Sequence, residues 1–126
     1  MLMLRPHHLL CIQGYTGHGY SEIFIKNMDK ITNALEDKSL IIITHGCDNI
    51  CAACPNNLRN GDCVFQDKVS YLDARALKIL NIKYNNIYYY SNTVKAIKQT
   101  LTLETFQKTC SKCKWFPYGY CEKGLF

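Results

Sequence analysis

The sequence predicts a helix-rich α+β fold, a single domain over residues 1–126, with a small two-stranded sheet and two cysteine-bearing loops. Three observations predict it. Apolar residues recur at helical spacing in several stretches. Only two short β-branched or aromatic runs read as strands. Most of the eight cysteines fall into two similar triplets. A chain of this length suits one domain and buries a core without needing cross-links.

The elements follow in order. Pro6 fits the first turn of a helix, where its missing N–H costs nothing, so His7 to about Gln13 form a short helix ended by Gly14. The glycines of Gly14-Tyr-Thr-Gly-His-Gly19 mark a loop. Ser21 is the expected N-cap of the next helix, about 21–36, in which Phe24, Met28, Ile31 and Leu35 recur at spacings of 4, 3 and 4. After a turn at Asp37-Lys-Ser39, Leu40-Ile-Ile-Ile-Thr44 reads as a buried strand. Pro55 and Asn60-Gly61 mark a loop between Cys47 and Cys63. A helix from about Gln66 to Leu80 carries Val69, Leu72, Ala76, Leu77 and Leu80 on its inner face. Asn86-Ile-Tyr-Tyr-Tyr90 is the second strand, its alternate rings facing opposite sides. Ser91 or Asn92 caps a helix to about Gln99, and another runs from Leu103 to Thr109. The strand–helix–strand order predicts a small parallel βαβ unit.

Composition narrows the function classes. No stretch approaches the roughly 18 apolar residues of a membrane span. The residues before Arg5 lack a long apolar region and a cleavage site, so the expected location is the cytoplasm. Thiols stay reduced there, and clustered cysteines more often bind metal than pair as disulfides. Fifteen Lys and Arg against ten Asp and Glu give a net charge of +5. The basic residues are scattered, apart from Lys108, Lys112 and Lys114, which argues against a nucleic-acid partner.

The cysteines carry the main signal. Cys51-Ala-Ala-Cys54 is followed by Cys63, and Cys110-Ser-Lys-Cys113 by Cys121. A two-residue gap lets both sulfurs address one centre, while intervening N–H groups face the thiolates. A glycine shortly before each third cysteine lets the chain turn back. The two loops therefore read as metal-binding. They fit one shared zinc site that leaves Cys63 and Cys121 spare, or two sites that each need a further ligand. Cys54-Pro55 has the form of the cysteine-proline that closes ferredoxin-type runs. Trp115 is the expected apolar shield beside the second triplet.

Near the start of the chain, His7 and His8 lie four and three residues before Cys11, so a helix places all three on one face. Cys11 is the natural candidate for a missing fourth ligand, with one histidine a further ligand or a donor to a cluster sulfur. The alternative is that Cys11 is a small buried apolar residue, with one histidine satisfied in the core and the other at the surface. Arg5 either offsets the charge of a cluster, binds an anionic substrate or is a surface arginine. His18 and His45 are lesser candidates, and Cys47 falls outside the triplet pattern. The glycines at 14, 17 and 19 follow no predicted strand and do not read as a nucleotide loop.

Arg5-Pro-His-His-Leu-Leu-Cys11, Gly14-Tyr-x-Gly-x-Gly-Tyr-Ser21, Asp48-x-Ile-Cys-x-x-Cys-Pro55 with Cys63, and Cys110-x-x-Cys-x-Trp115 with Cys121 together resemble the domain of unknown function 1284, a family of small bacterial and archaeal proteins. The resemblance spans nearly the whole chain. It implies an iron–sulfur role for Cys51, Cys54, Cys63, Cys110, Cys113 and Cys121. It strengthens Cys11 as a ligand and leaves Cys47 out. It implies no reaction. The expected function is an iron–sulfur protein with one or two clusters of the four-iron type, acting as an electron carrier or a small cluster-dependent enzyme. Its partner would be a redox protein or a small-molecule substrate. The alternative is a zinc-stabilised binding module that uses Lys108, Lys112, Lys114 and exposed tyrosines on nucleic acid.

Overall fold

The computed structural model describes residues 1–111 and 116–126. Strand β1 (Leu2–Leu4) leads into helix α1 (His8–Gln13), α2 (Glu22–Ala34) and strand β2 (Leu40–Ile43). Helix α3 (Gln66–Leu80) precedes strand β3 (Ile87–Tyr89), which runs directly into α4 (Tyr90–Thr100). Helices α5 (Leu103–Cys110) and α6 (Tyr120–Leu125) follow.

The expected two-stranded sheet has a third member, because Leu2–Leu4 add a strand at its edge. The order is β1-β2-β3. The parallel pair is β1 with β2, in register Leu2↔Ile41 and Leu4↔Ile43. The expected parallel βαβ unit is corrected: β3 runs antiparallel to β2, with Leu40 opposite Tyr89. The crossover with parallel ends is the stretch holding α1 and α2, not the one holding α3.

The sheet is covered on one face. Leu4, Ile41 and Ile43 are fully buried, whereas Met3, Leu40 and Ile87 on the other face are exposed. Phe24, Met28 and Ile31 of α2 and Leu72, Ala76 and Leu80 of α3 bury the stripes that the spacing predicts. Ser21 caps α2 by accepting from the Phe24 N–H at 3.1 Å. Neither Ser91 nor Asn92 caps α4. It begins at Tyr90 straight from the strand, with Thr93 Oγ1 donating to the Tyr90 carbonyl.

Two glycines set the approach of α6 to α1. A Cβ on Gly14 would lie 2.5 Å from Cys121 Cα, and one on Gly124 would lie 2.0 Å from the Gln13 carbonyl oxygen. Only hydrogen at both positions lets these backbones meet, and that meeting brings α6 against the face of α1 that carries Cys11.

A thiol and imidazole cavity as candidate metal centre

The parallel pairing of β1 and β2 places the segments that follow them side by side. One is Arg5 to His8, the other Thr44 to Cys51. They are tied where they leave the sheet: the Thr44 N–H donates to the Leu4 carbonyl at 2.9 Å, and Asn49 N–H to that of Met3 at 3.1 Å.

Asp48 is the hub of this junction. Its Oδ2 accepts from the Arg5 N–H at 2.6 Å and lies 2.6 Å from His8 Nδ1, and its Oδ1 accepts from the Cys51 N–H at 3.0 Å. Asp73, from the inner face of α3, serves the same segment. Its Oδ2 accepts from Arg5 Nε at 2.9 Å, and its Oδ1 lies 2.5 Å from His7 Nδ1. Each histidine is thus held through Nδ1 by its own buried carboxylate. That arrangement fixes the ring and leaves Nε2 as the ligand or proton-handling atom.

The surroundings tune these groups. Burial opposes ionisation of Asp48, but His8 and the two N–H donors outweigh it and hold the carboxyl well below its ordinary range. Asp73 is lowered in the same way, burial being outweighed by His7 and Arg5. Burial, with His8 alongside, pushes His7 down and favours the neutral ring. Burial and the neighbouring Asp48 push the Cys51 thiol up, so a bound cation is needed to draw off its proton.

The first triplet is built by a loop that doubles back. Cys51–Ala53 form one helical turn, closed by the Cys54 N–H donating to the Cys51 carbonyl at 2.9 Å. Asn57 pairs with Cys63 across a short bridge, and Gly61 takes the positive φ of 94° that the turn requires. The Phe65 N–H donates to Cys63 Sγ at 3.4 Å, from outside the C-x2-C gap whose N–H groups the spacing pointed to. In the second triplet, Cys110 ends α5 and Cys121 is buried in α6. The Cys11 thiol donates to Cys121, which lowers the latter's pKa against the effect of burial. Cys113 and Trp115 lie outside the described residues, as do Lys112 and Lys114.

These pieces converge. Arg5, His7, His8, Cys11, Cys51, Cys54, Cys63 and Cys121 all line one cavity of about 330 Å³. Cys110 lines a small adjoining cleft together with His7, Cys11 and Cys121. His18 also reaches the cavity and stacks on Tyr120 at 4.0 Å between centroids. Cys47 and His45 do not line it, and His45 instead packs edge-on against Tyr84. Arg5 is not a surface residue, being 2% exposed.

Spacing alone did not single out Asp48 and Asp73 as site residues. Asp73 has a signal, because it falls on the apolar stripe of α3, four residues after Val69 and three before Ala76. A charge on a buried stripe requires a partner. Asp48 stands in the resemblance pattern but shows no comparable periodic signal.

Donor atoms of His8, Asp48 and Cys51 lie within 4.8 Å of one another and could hold a metal ion. Both Asp48 oxygens already accept hydrogen bonds, so Asp48 is better suited to orienting His8 and the Cys51 backbone. Five thiols and two oriented imidazoles around one cavity form a soft donor set that suits a thiolate-bound metal or cluster. Among the described residues, no helix is long and apolar enough to cross a membrane.

Fold and site together define a small, cysteine-rich α+β protein with a candidate metal centre at the end of a parallel strand pair. The chain belongs to the family described as protein of unknown function DUF1284, matching it over residues 19–119. The matched span begins after the Arg5–Cys11 segment. No curated protein and no solved structure matches the chain.

Proposed function

We propose that the protein is an iron–sulfur protein of the cytoplasm, either an electron carrier or a small cluster-dependent enzyme. One observation carries this reading: Cys51, Cys54 and Cys63 from one loop, Cys121 from α6 and Cys11 from α1 line the same cavity. Cys51, Cys54 and Cys63 with Cys11, and Cys110, Cys113 and Cys121, are the residues that would hold one or two clusters, four-iron centres being the type suited to such cysteine sets. When bound, such a group supplies one-electron transfer or an open iron for a substrate.

The chain's own residues do the rest. Asp48 and Asp73 fix His8 and His7, so neither ring needs to reorganise to meet a ligand or a sulfur. The Phe65 N–H meets the Cys63 sulfur and offsets thiolate charge. Leu72, Phe24 and Met28 are buried and add apolar surface to the cavity lining.

Zinc is the second reading, favoured by the closeness of a histidine nitrogen and a thiol, those of His8 and Cys51, which Asp48 orients. Protein purified without oxygen separates the two. The iron–sulfur reading expects a brown solution with broad absorbance near about 400 nm. A colourless protein with stoichiometric zinc overturns it.

A further inference from the structure

Arg5 has donors that no described residue accepts. Its guanidinium is fixed by Nε, which donates to Asp73 Oδ2 at 2.9 Å. Neither terminal nitrogen hydrogen-bonds another described residue. Nor are they among the fully enclosed unpartnered atoms of the described residues, which are Arg75 Nε and Thr109 Oγ1. The side chain is 2% exposed and lines the cavity, so its two terminal nitrogens open into that space. A buried guanidinium with unmet donors is costly unless an acceptor arrives.

The cavity has the complementary character. Among the described residues its lining includes Arg5, Lys68 and three histidines but no carboxylate, Asp48 and Asp73 instead holding two of the rings through Nδ1. The lining also holds the apolar side chains of Phe24, Met28 and Phe65. At the exposed end, Lys68 Nζ stands 5.3 Å from the centre of the Phe65 ring.

The geometry points to a binding site for a small organic carboxylate, its charge on Arg5 and its apolar body against Phe24, Met28 and Phe65. The planar fork of the guanidinium matches a carboxylate through two parallel hydrogen bonds. The apolar walls favour an organic acid over a bare inorganic anion. As the substrate class of the same site, this rests on the iron–sulfur reading, with the ligand lying beside the metal centre. The alternative acceptor for these donors is the metal centre itself.

Calorimetric titration of the anaerobically purified protein, and of the same protein stripped of metal, tests the site with benzoate, benzyl alcohol and inorganic phosphate. Benzoate is expected to bind the purified protein at least about tenfold more tightly than either comparison, since only it offers both charge and ring. Arg5→Lys keeps the charge but loses the fork and the Nε bond to Asp73, and is expected to weaken benzoate about tenfold or more. Lys68→Ala, on an exposed side chain, is expected to weaken it about threefold, an effect that salt removes. If Arg5→Lys fails to fold, the Lys68 result and the benzyl alcohol comparison decide. Benzoate binding no tighter than benzyl alcohol overturns the proposal. So does full affinity in a folded Arg5→Lys protein, and so does binding confined to the metal-stripped form, which gives the donors to the metal centre. Benzoate binding to a protein that never holds iron overturns the iron–sulfur reading and leaves the carboxylate site standing.

Discussion

His8 Nδ1 lies 2.6 Å from Asp48 Oδ2, across 40 residues of chain. The same carboxylate accepts the backbone N–H of Arg5 and of Cys51, so one buried side chain ties the start of α1 to the first cysteine loop.

Asp48→Asn is nearly isosteric but turns one acceptor into a donor. It leaves at least one of the three donors unmet in a buried place. The expected loss of stability is about 2–4 kcal/mol, read from urea unfolding. Metal affinity is expected to fall about 10–100-fold, because His8 and the Cys51 backbone lose their orientation. A variant with unchanged metal affinity would remove Asp48 from the account of the site.

Gly124→Ala tests the contact between α1 and α6. Its Cβ would meet the Gln13 carbonyl oxygen at 2.0 Å, a backbone atom that cannot swing aside. Displacement of α6 is expected to cost about 1–3 kcal/mol and to separate Cys121 from Cys11. The thiol of Cys121 should then react faster with an alkylating reagent, while the sheet and α3 stay folded. Unchanged thiol reactivity would show that α6 adjusts without moving Cys121.

Acid sensitivity follows from His7 and Asp73. Burial lowers the His7 pKa, so below about pH 6.5 the unfolded chain binds a proton that the folded chain refuses. Stability therefore falls as pH drops through about 6.5. The Asp73 contribution has a different window. Its folded pKa is lowered, so the stability it adds is complete above about pH 4 and disappears as pH falls through the lower folded value. Urea midpoints measured across this range should decline in two stages. His7→Gln, which does not titrate, should remove the upper stage. A midpoint that stays flat down to about pH 5 in the natural sequence would contradict the neutral, buried assignment of His7.

Much of this architecture was legible in the sequence. Helices α2 and α3 are long enough for apolar spacing to mark them, and β2 is a continuous aliphatic run. Strand β1 is three residues long, and its partners in β2 lie far along the chain, so no local signal announces it. Helix α6 has six residues and contains Gly124, which reads as a helix breaker until its contact with Gln13 is known. The direction of β3 has no local signal either: α3 ends at Asn81, a left-handed residue with φ of 54°, and β3 then pairs antiparallel to β2. At the site, helical spacing expects His7, His8 and Cys11 on one face, and all three line the same cavity. Arg5 was open between surface and site because its burial depends on Asp73, a residue 68 positions away.

The central claim is that thiols from both halves of the chain hold iron and sulfide in one place. Its most direct test is the iron and acid-labile sulfide content per chain of anaerobically purified protein. The account predicts iron and sulfide in equal amounts, about four of each or about eight, with a clear loss in Cys51→Ser. Iron without sulfide, zinc alone, or a Cys51→Ser protein with its full complement would contradict it.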